Sequence, residues 1–268
     1  MPELVVATFN MHAGIDGWGV PFDVVECCGQ IDADVLVLQE TWTPSDGEGL
    51  AGRVARSLGY EVHEFALADA LLLESAAPAG KHWGPSRGYP VHSRHLWVGE
   101  AAELNNVRRW RGDYAPRPGT WGIAVLSRLE TRRVEAIDLG RLPRDSASRR
   151  AGLVAEIALE SSSVTVVGTH LAHFMHGSPV IFERLRSKLP GSDQPAVLAG
   201  DMNFWGPPLS LALPGWRRAV RARTFPSWGA HSQIDHIFVT RPVEVVSGEA
   251  VSAGNSDHLP LRARLRVE

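Results

Sequence analysis

Polar residues able to hold a cation or move a proton recur at the ends of apolar runs. Asn10 follows VVATF, Glu40 follows DVLVLQ and His170 follows VTVVGT, while Asp201 and Asn203 come after AVLAG. Asp257 and His258 precede a last apolar run, in GNSDHLPL. A rigid sheet can hold such side chains together at one rim. Carboxylates, carboxamides and imidazoles gathered in this way would make a metal and phosphate site.

The chemistry calls for these residue types. A phosphodiester is anionic and resists attack by hydroxide, and a hard cation neutralises its oxygens and stabilises the leaving group. Mg²⁺ prefers oxygen ligands and keeps several waters, so one or two carboxylates are enough. Glu40 is the expected main ligand, with Asn10 and Asp257 beside it, and Mn²⁺ is an alternative ion. Asp201 is expected to orient or deprotonate the attacking water. Asn203 is expected to donate to a phosphate oxygen, and His170 and His258 to donate to the transition state. A buried Asp235 would fix the tautomer of His258 and raise its pKa.

Strands are the elements that must position these groups. β-branched and aliphatic runs bounded by turn residues predict strands over Leu4–Phe9, Val35–Gln39, Gly122–Ser127, Val154–Leu159, Val164–His170, Ala196–Gly200, Ile234–Val239 and Leu261–Val267. In the last of these, arginines alternate with apolar residues, which marks one wet face. Helices are expected over Phe22–Ile31, Gly49–Leu58 and Val180–Leu189, the third just after Pro179. Strands outnumber helices, which favours packed sheets flanked by helices over a doubly wound parallel sheet.

The stretch from about Glu74 to Thr120 reads as a long loop or insertion in a single domain spanning residues 1–268. Between Lys81 and Pro118 it carries seven Lys or Arg against three Asp or Glu, with five Trp or Tyr among them. Arg and Trp together suit phosphates and stacked rings. The same composition also suits a solvated loop whose tryptophans pack on the core.

The bulk properties narrow the partners. The chain has 268 residues, 44% of them hydrophobic, and a formal net charge of −3. That balance argues mildly against long nucleic acids, which need a broad positive surface. The only cysteines are the neighbours Cys27 and Cys28, so no disulfide framework is possible and a reducing, cytoplasmic setting is expected. No apolar run has the length of a membrane span.

Six short pieces, TFNMHAG, LVLQE, GTHL, GDMN, QIDHIF and SDH, occur in an order that resembles the endonuclease/exonuclease/phosphatase superfamily of DNase I-like metal-dependent phosphoesterases. The resemblance runs from Asn10 to His258. It implies an α/β four-layered sandwich of two packed mixed sheets flanked by helices. It also implies Asn10 and Glu40 at the metal, His170 on phosphate, and Asp201 with Asn203 positioning water and phosphate. Asp257 and His258 match its SDH motif, and Asp235 matches the residue that pairs with that His. The chain departs from the pattern at His12, Gln233 and His236, which leaves the substrate open: DNA, RNA, a lipid, a sugar phosphate or another small phosphoester.

Other readings exist. Asp and Asn are also ordinary turn formers. His170, His173 and His176 recur every three residues and invite a zinc hydrolase, but zinc needs about four converging ligands and no cysteine pair lies nearby. Arg149 and Arg150, just before a strand, read as surface charge ahead of phosphate contacts. A catalytically inactive binding module on the same fold is a further alternative.

Overall fold

The computed structural model describes residues 1–75, 94–99 and 114–268. Its first sheet has seven strands in the order β12-β13-β1-β2-β5-β3-β4, and its second has six in the order β10-β11-β9-β8-β7-β6. The strands are β1 (Glu3–Asn10), β2 (Val35–Pro44), β3 (Glu61–Ser75), β4 (Arg94–Val98), β5 (Tyr114–Ser127), β6 (Thr131–Leu142) and β7 (Asp145–Ala158). They continue with β8 (Ser163–His170), β9 (Ala196–Asp201), β10 (Arg217–Arg218), β11 (Asp235–Val239), β12 (Val243–Ala250) and β13 (Leu261–Val267).

Each sheet has one parallel pair near its middle, β1 with β2 and β8 with β9. The neighbouring pairs are antiparallel. A parallel pair needs a crossover, usually a helix. Here the crossovers are α1 (Val24–Ile31) and α3 (Ser178–Arg186). Asp23 caps α1 by accepting from the amides of Val25 and Glu26, and Pro179 stands in the first turn of α3. Helices α2 (Leu50–Leu58) and α4 (Gly206–Ala212) complete the set used below.

Side-chain alternation sorts the apolar residues into three layers of packing. Leu4, Val6, Val35 and Val37 of the first sheet meet Val166, Val197, Ala199 and Ile237 of the second in the central core. Phe9, Leu36 and Leu38 point the other way, onto Val24, Cys28 and Ile31 of α1 and Val54 of α2. Val167, Leu198 and Phe238 pack under Ile181, Phe182 and Leu185 of α3 and Leu209 of α4. The result is the four-layered order helix, sheet, sheet, helix. The sheets pack tightly at Gly168, where an added Cβ would sit 2.7 Å from Val37 Cγ1 and 3.1 Å from Val125 Cγ2.

The eight expected strands all form, and Leu261–Val267 shows the expected alternation, with Leu261, Ala263, Leu265 and Val267 buried. The long-loop reading of residues 74–120 needs correction. Strand β3 runs on to Ser75, β5 starts at Tyr114, and β4 pairs with β3. A hairpin-like extension of the first sheet therefore occupies much of the described part. Lys81, Trp83, Arg87, Tyr89, Arg108, Arg109, Trp110, Arg111 and Asp113 lie outside the described residues. Strands β3, β6, β10 and β12 are not foreseen in the sequence; β3 is an inner strand, while β6 and β12 are sheet edges that carry charge, where only one face must be apolar. Among the described residues, no helix is long and apolar enough to cross a membrane.

Candidate active site

The same alternation that builds the central core also places the polar groups. In β1, Leu4 and Val6 face inward, and Asn10 ends that row. In β9 the row is Val197, Ala199 and then Asp201. In β11, Ile237 and Val239 follow Asp235, which pairs in register with Asp201. In β8, Val164 and Val166 face inward and His170 ends the row. These four side chains form a polar cap over one end of an apolar core, and each is at most 4% exposed.

Glu40 reaches the cap by a different route. Regular alternation would turn it toward the helix layer, with Leu36 and Leu38. Instead, the register of β2 on β5 slips between Gln39 and Thr41, and Glu40 has φ 54°. A bulge of this kind re-aims a side chain, and the left-handed backbone is unfavourable for a non-glycine residue. Asn203 (φ 48°) and His12 (φ 43°) share that strained conformation. Such outliers cluster at functional sites.

The contacts join these groups into one constellation. Asn10 Nδ2 donates to Glu40 Oε1 and to Asp201 Oδ2, both at 3.1 Å. Its Oδ1 accepts from the His12 amide at 3.1 Å. His170 Nε2 lies 3.6 Å from Asp201 Oδ2 and 3.8 Å from Glu40 Oε1. Asn203 Nδ2 is 3.3 Å from the same nitrogen and donates to the Leu171 carbonyl, while the Asn203 amide donates to Asp201 Oδ1 at 2.8 Å. His258 Nδ1 donates to Asp235 Oδ2 at 2.8 Å, and its Nε2 stands 3.8 Å from Asp201 Oδ2. Asp257 lies at the edge, with Oδ1 3.6 Å from His12 Nδ1. Ser256 Oγ, 3.3 Å from that Oδ1, donates to the Asn10 carbonyl. All eight sequence-predicted site residues therefore lie at one end of the sandwich.

Burial sets their charge states. Burial first, and then the nearby Asp235 charge, pushes the Asp201 carboxyl up to about 7. Burial opposes charge on His258, but the Asp235 charge and hydrogen bond outweigh it, and the imidazole is raised to about 10. Burial, helped by the positive charge of Arg150, holds His170 well below its ordinary value. The cap thus combines one proton-holding imidazole, one neutral imidazole and a carboxylate poised near neutrality.

A cleft of about 350 Å³ opens beside the cap, lined by Glu40, His170 and Asn203 and also by Trp121, Asp145, Ser148, Arg150, His173 and His176. Arg150 corrects a reading made from sequence. It is only 6% exposed, whereas Arg149 is on the surface beside Asp138. Its Nε donates to Asp145 Oδ2 at 2.8 Å, and its guanidinium lies 5.2 Å from the centre of the Trp121 ring. Trp121 in turn packs against His170, with ring centroids 5.1 Å apart. Nothing in the local sequence marks these partners, because they meet only through pairing of distant strands. Among the described residues, His173 and His176 line the cleft but belong to no set of three converging ligand atoms. Among the described residues, the one set of three converging ligand atoms is Asp201, Asp235 and His258.

The sequence profile of the Endonuclease/Exonuclease/phosphatase family matches residues 7–258. The chain belongs to that family. Members of the family are in general phosphoester hydrolases. Solved structures share its fold. An endonuclease/exonuclease/phosphatase from Beutenbergia cavernae is 22% identical and superimposes with a TM-score of 0.62, covering 100% of this chain and 72% of that one. A family protein from Leptotrichia buccalis gives 12% identity and a TM-score of 0.67, covering 98% and 99%. The human Nocturnin catalytic domain with bound sulfate gives 15% and 0.59, covering 100% and 94%. Identities this low establish the fold alone. No curated protein matches the chain.

Of the three departures, His12 lines the cleft beside Asp257, while Gln233 and His236 are structural in character. Gln233 donates to the carbonyls of Val220 and Asp235. His236 is fully buried, and its Nε2 bonds the Phe204 carbonyl at 2.9 Å. Burial lowers its pKa to about 4, so it is neutral there.

Proposed function

We propose that this chain is a divalent-metal-dependent phosphoesterase that hydrolyses a phosphodiester by attack of water. The observation that carries the reading is the join between two pairs of groups. Asn10 donates at once to Glu40 and Asp201, and Asp201 faces the His258–Asp235 pair.

Glu40, Asn10 and Asp257 would hold the cation. The donor set is all oxygen, and the Glu40 side chain, 20% exposed at the cleft, is open enough for an ion that keeps its waters. When bound, Mg²⁺ or Mn²⁺ would neutralise phosphate oxygens and the leaving group. Asp201 takes a proton from the attacking water as its oxygen bonds to phosphorus and the bond to the leaving oxygen breaks. His258, kept protonated by Asp235, donates to a non-bridging oxygen where negative charge builds up. His170 and Asn203 orient the phosphate from the other side. Residues 1–268 form one catalytic domain in this reading, with an insertion at about 74–120. The buried thiols of Cys27 and Cys28 suit the reducing cytoplasm.

Hydrolysis of bis-p-nitrophenyl phosphate tests the proposal. Activity should disappear on full chelation and return with Mg²⁺. Turnover that survives chelation would remove the cation from the reaction. A preference for p-nitrophenyl phosphate would favour a phosphomonoesterase on the same site. Plasmid DNA, RNA, inositol phosphates and sphingomyelin, assayed alongside, would rank nuclease, sugar and lipid substrates.

A further inference from the structure

The segments that follow β8 and β9 leave several large apolar side chains in water. Among the described residues nine such side chains are exposed, and five of them, Phe174, Met175, Val180, Trp205 and Leu211, fall in the stretches 174–180 and 205–211. The two stretches meet. Phe174 stacks on Phe204 with ring centroids 5.3 Å apart, and Trp205 lies against both rings. Phe204 packs on the α3–α4 core layer and anchors the group from below. Leu211 is 86% and Met175 62% exposed. Apolar groups gathered at a surface mark a place where a protein meets something other than water.

Positive charge lies beside this face. Asp201 and Asp235 bound a run of 33 residues with no Asp or Glu and four arginines, Arg217, Arg218, Arg221 and Arg223, in a chain whose net charge is −3. Residues 171–182 also lack Asp and Glu, and the next acid, Glu183, is paired with Arg186. Arg218 lies over the first turn of α4, next to Trp205: a Cβ added at Gly206 would sit 2.7 Å from Arg218 Cζ. Arg217 donates to the Val243 carbonyl and Arg218 to Gln233 Oε1 at 3.5 Å, both neutral acceptors. The buried Nε of Arg218 has no partner among the described residues. Burial, and then the like charge of Arg221, lower the pKa of Arg218, so the two cations are within electrostatic reach of each other. A guanidinium with an open N–H and a like-charged neighbour is set up to take an anion.

We propose that this face seats the protein on an anionic lipid surface, with Met175, Trp205 and Leu211 entering the headgroup layer and Arg218 and Arg221 meeting lipid phosphates. The inference is independent of the phosphoester reading. Trp beside Arg suits the boundary between headgroups and acyl chains. Among the described residues no helix is long and apolar enough to cross a membrane, and this docking is peripheral, one headgroup layer deep. Leu211 and Met175 gain little from a nucleic acid, whose contacts are to phosphates and flat bases. A second copy of the chain would bring its own unpaired arginines against these, at a cost in repulsion and desolvation.

The test is sedimentation of the full chain with vesicles of phosphatidylcholine alone and of phosphatidylcholine mixed with phosphatidylserine. The mixed vesicles should bind roughly tenfold more tightly than the neutral ones, and high salt should remove most of that preference. Met175→Ser combined with Leu211→Ser should weaken binding to the mixed vesicles about tenfold and keep the preference for anionic lipid. Arg221→Gln combined with Arg223→Gln should instead reduce the preference. All four side chains are exposed, so neither pair removes a core contact. Binding to neither kind of vesicle, or binding unchanged in both double variants, would overturn the proposal. Self-association that the Met175→Ser and Leu211→Ser pair abolishes, with no vesicle binding, would assign the face to a second copy instead. Single-stranded DNA binding that only the arginine pair loses, with no vesicle binding, would assign it to nucleic acid.

Discussion

The β1–α1–β2 unit and the β8–α3–β9 unit have the same plan. Each is a parallel pair with a helical crossover, each sits at the middle of its sheet, and each ends in two polar residues at the same rim. The residues they deliver differ. The first unit ends in Asn10 and in Glu40, a bulged, partly exposed carboxylate facing the cleft. The second ends in His170 and Asp201, whose side chains are 5% and 2% exposed. One topology therefore supplies a partly exposed carboxylate from one sheet and a desolvated carboxyl–imidazole pair from the other. We read this as a division of labour, with cation binding on the first side and proton handling on the second.

The largest expected effect breaks the symmetry between the two units directly. Asp201→Asn should lower kcat on the order of a thousandfold, and added Mn²⁺ should not recover it. Glu40→Gln should lose a comparable amount through weakened cation binding, and a large excess of Mn²⁺ should recover part of it. Rate against metal concentration for the two variants checks this, and identical metal responses would erase the distinction.

The next effect lies beside the second unit, in β11, which pairs with β9. His236 is buried neutral at about 4, while its unfolded value is 6.5. Below pH 6.5 the unfolded chain takes up a proton that the folded chain refuses until about pH 4. Stability should therefore fall as the pH drops through that window, by on the order of 3 kcal/mol at its lower end. Denaturant titrations at stepped pH would show this slope, and His236→Gln should reduce it, leaving the part that the buried, neutral His170 contributes.

A smaller effect lies where the two units touch. Gly168 of β8 faces Val37 of β2 with no room for a methyl group. Gly168→Ala should destabilise by roughly 1 to 3 kcal/mol, visible as a lower thermal midpoint. An unchanged midpoint would mean that the sheets separate more easily than this packing implies.

The smallest effect concerns the first unit. Burial raises Cys27 to about 12 and raises Cys28 well above its ordinary value, and both lie in α1 under the sheet. Neither should react with iodoacetamide at pH 8 in the folded protein. Prompt alkylation without denaturant would show that α1 opens locally.

Residues whose role is set by strand alternation were legible in the sequence. Asn10, His170 and Asp201 end apolar rows that can be read directly, and the SDH and QIDHIF pieces supplied His258 and Asp235. Groups assembled across strands were not legible. Arg150 looked like surface charge because its neighbour Arg149 is, and only the pairing of β7 with β8 carries it under Trp121 and beside His170. The re-aiming of Glu40 depends on a bulge against β5, which no local pattern announces. Strands β6 and β12 escaped because charged edge strands lack the apolar alternation that identifies inner ones. Helix α4 escaped because its first turn, GPP, reads as a loop.

The division of labour is tested most directly by asking where the cation sits. Electron paramagnetic resonance titration of Mn²⁺ would measure binding to the wild type, Glu40→Gln and Asp235→Asn. The account predicts that Glu40→Gln weakens Mn²⁺ binding strongly while Asp235→Asn binds it as the wild type does. Retained binding in Glu40→Gln with loss in Asp235→Asn would place the ion among Asp201, Asp235 and His258, and would contradict the account.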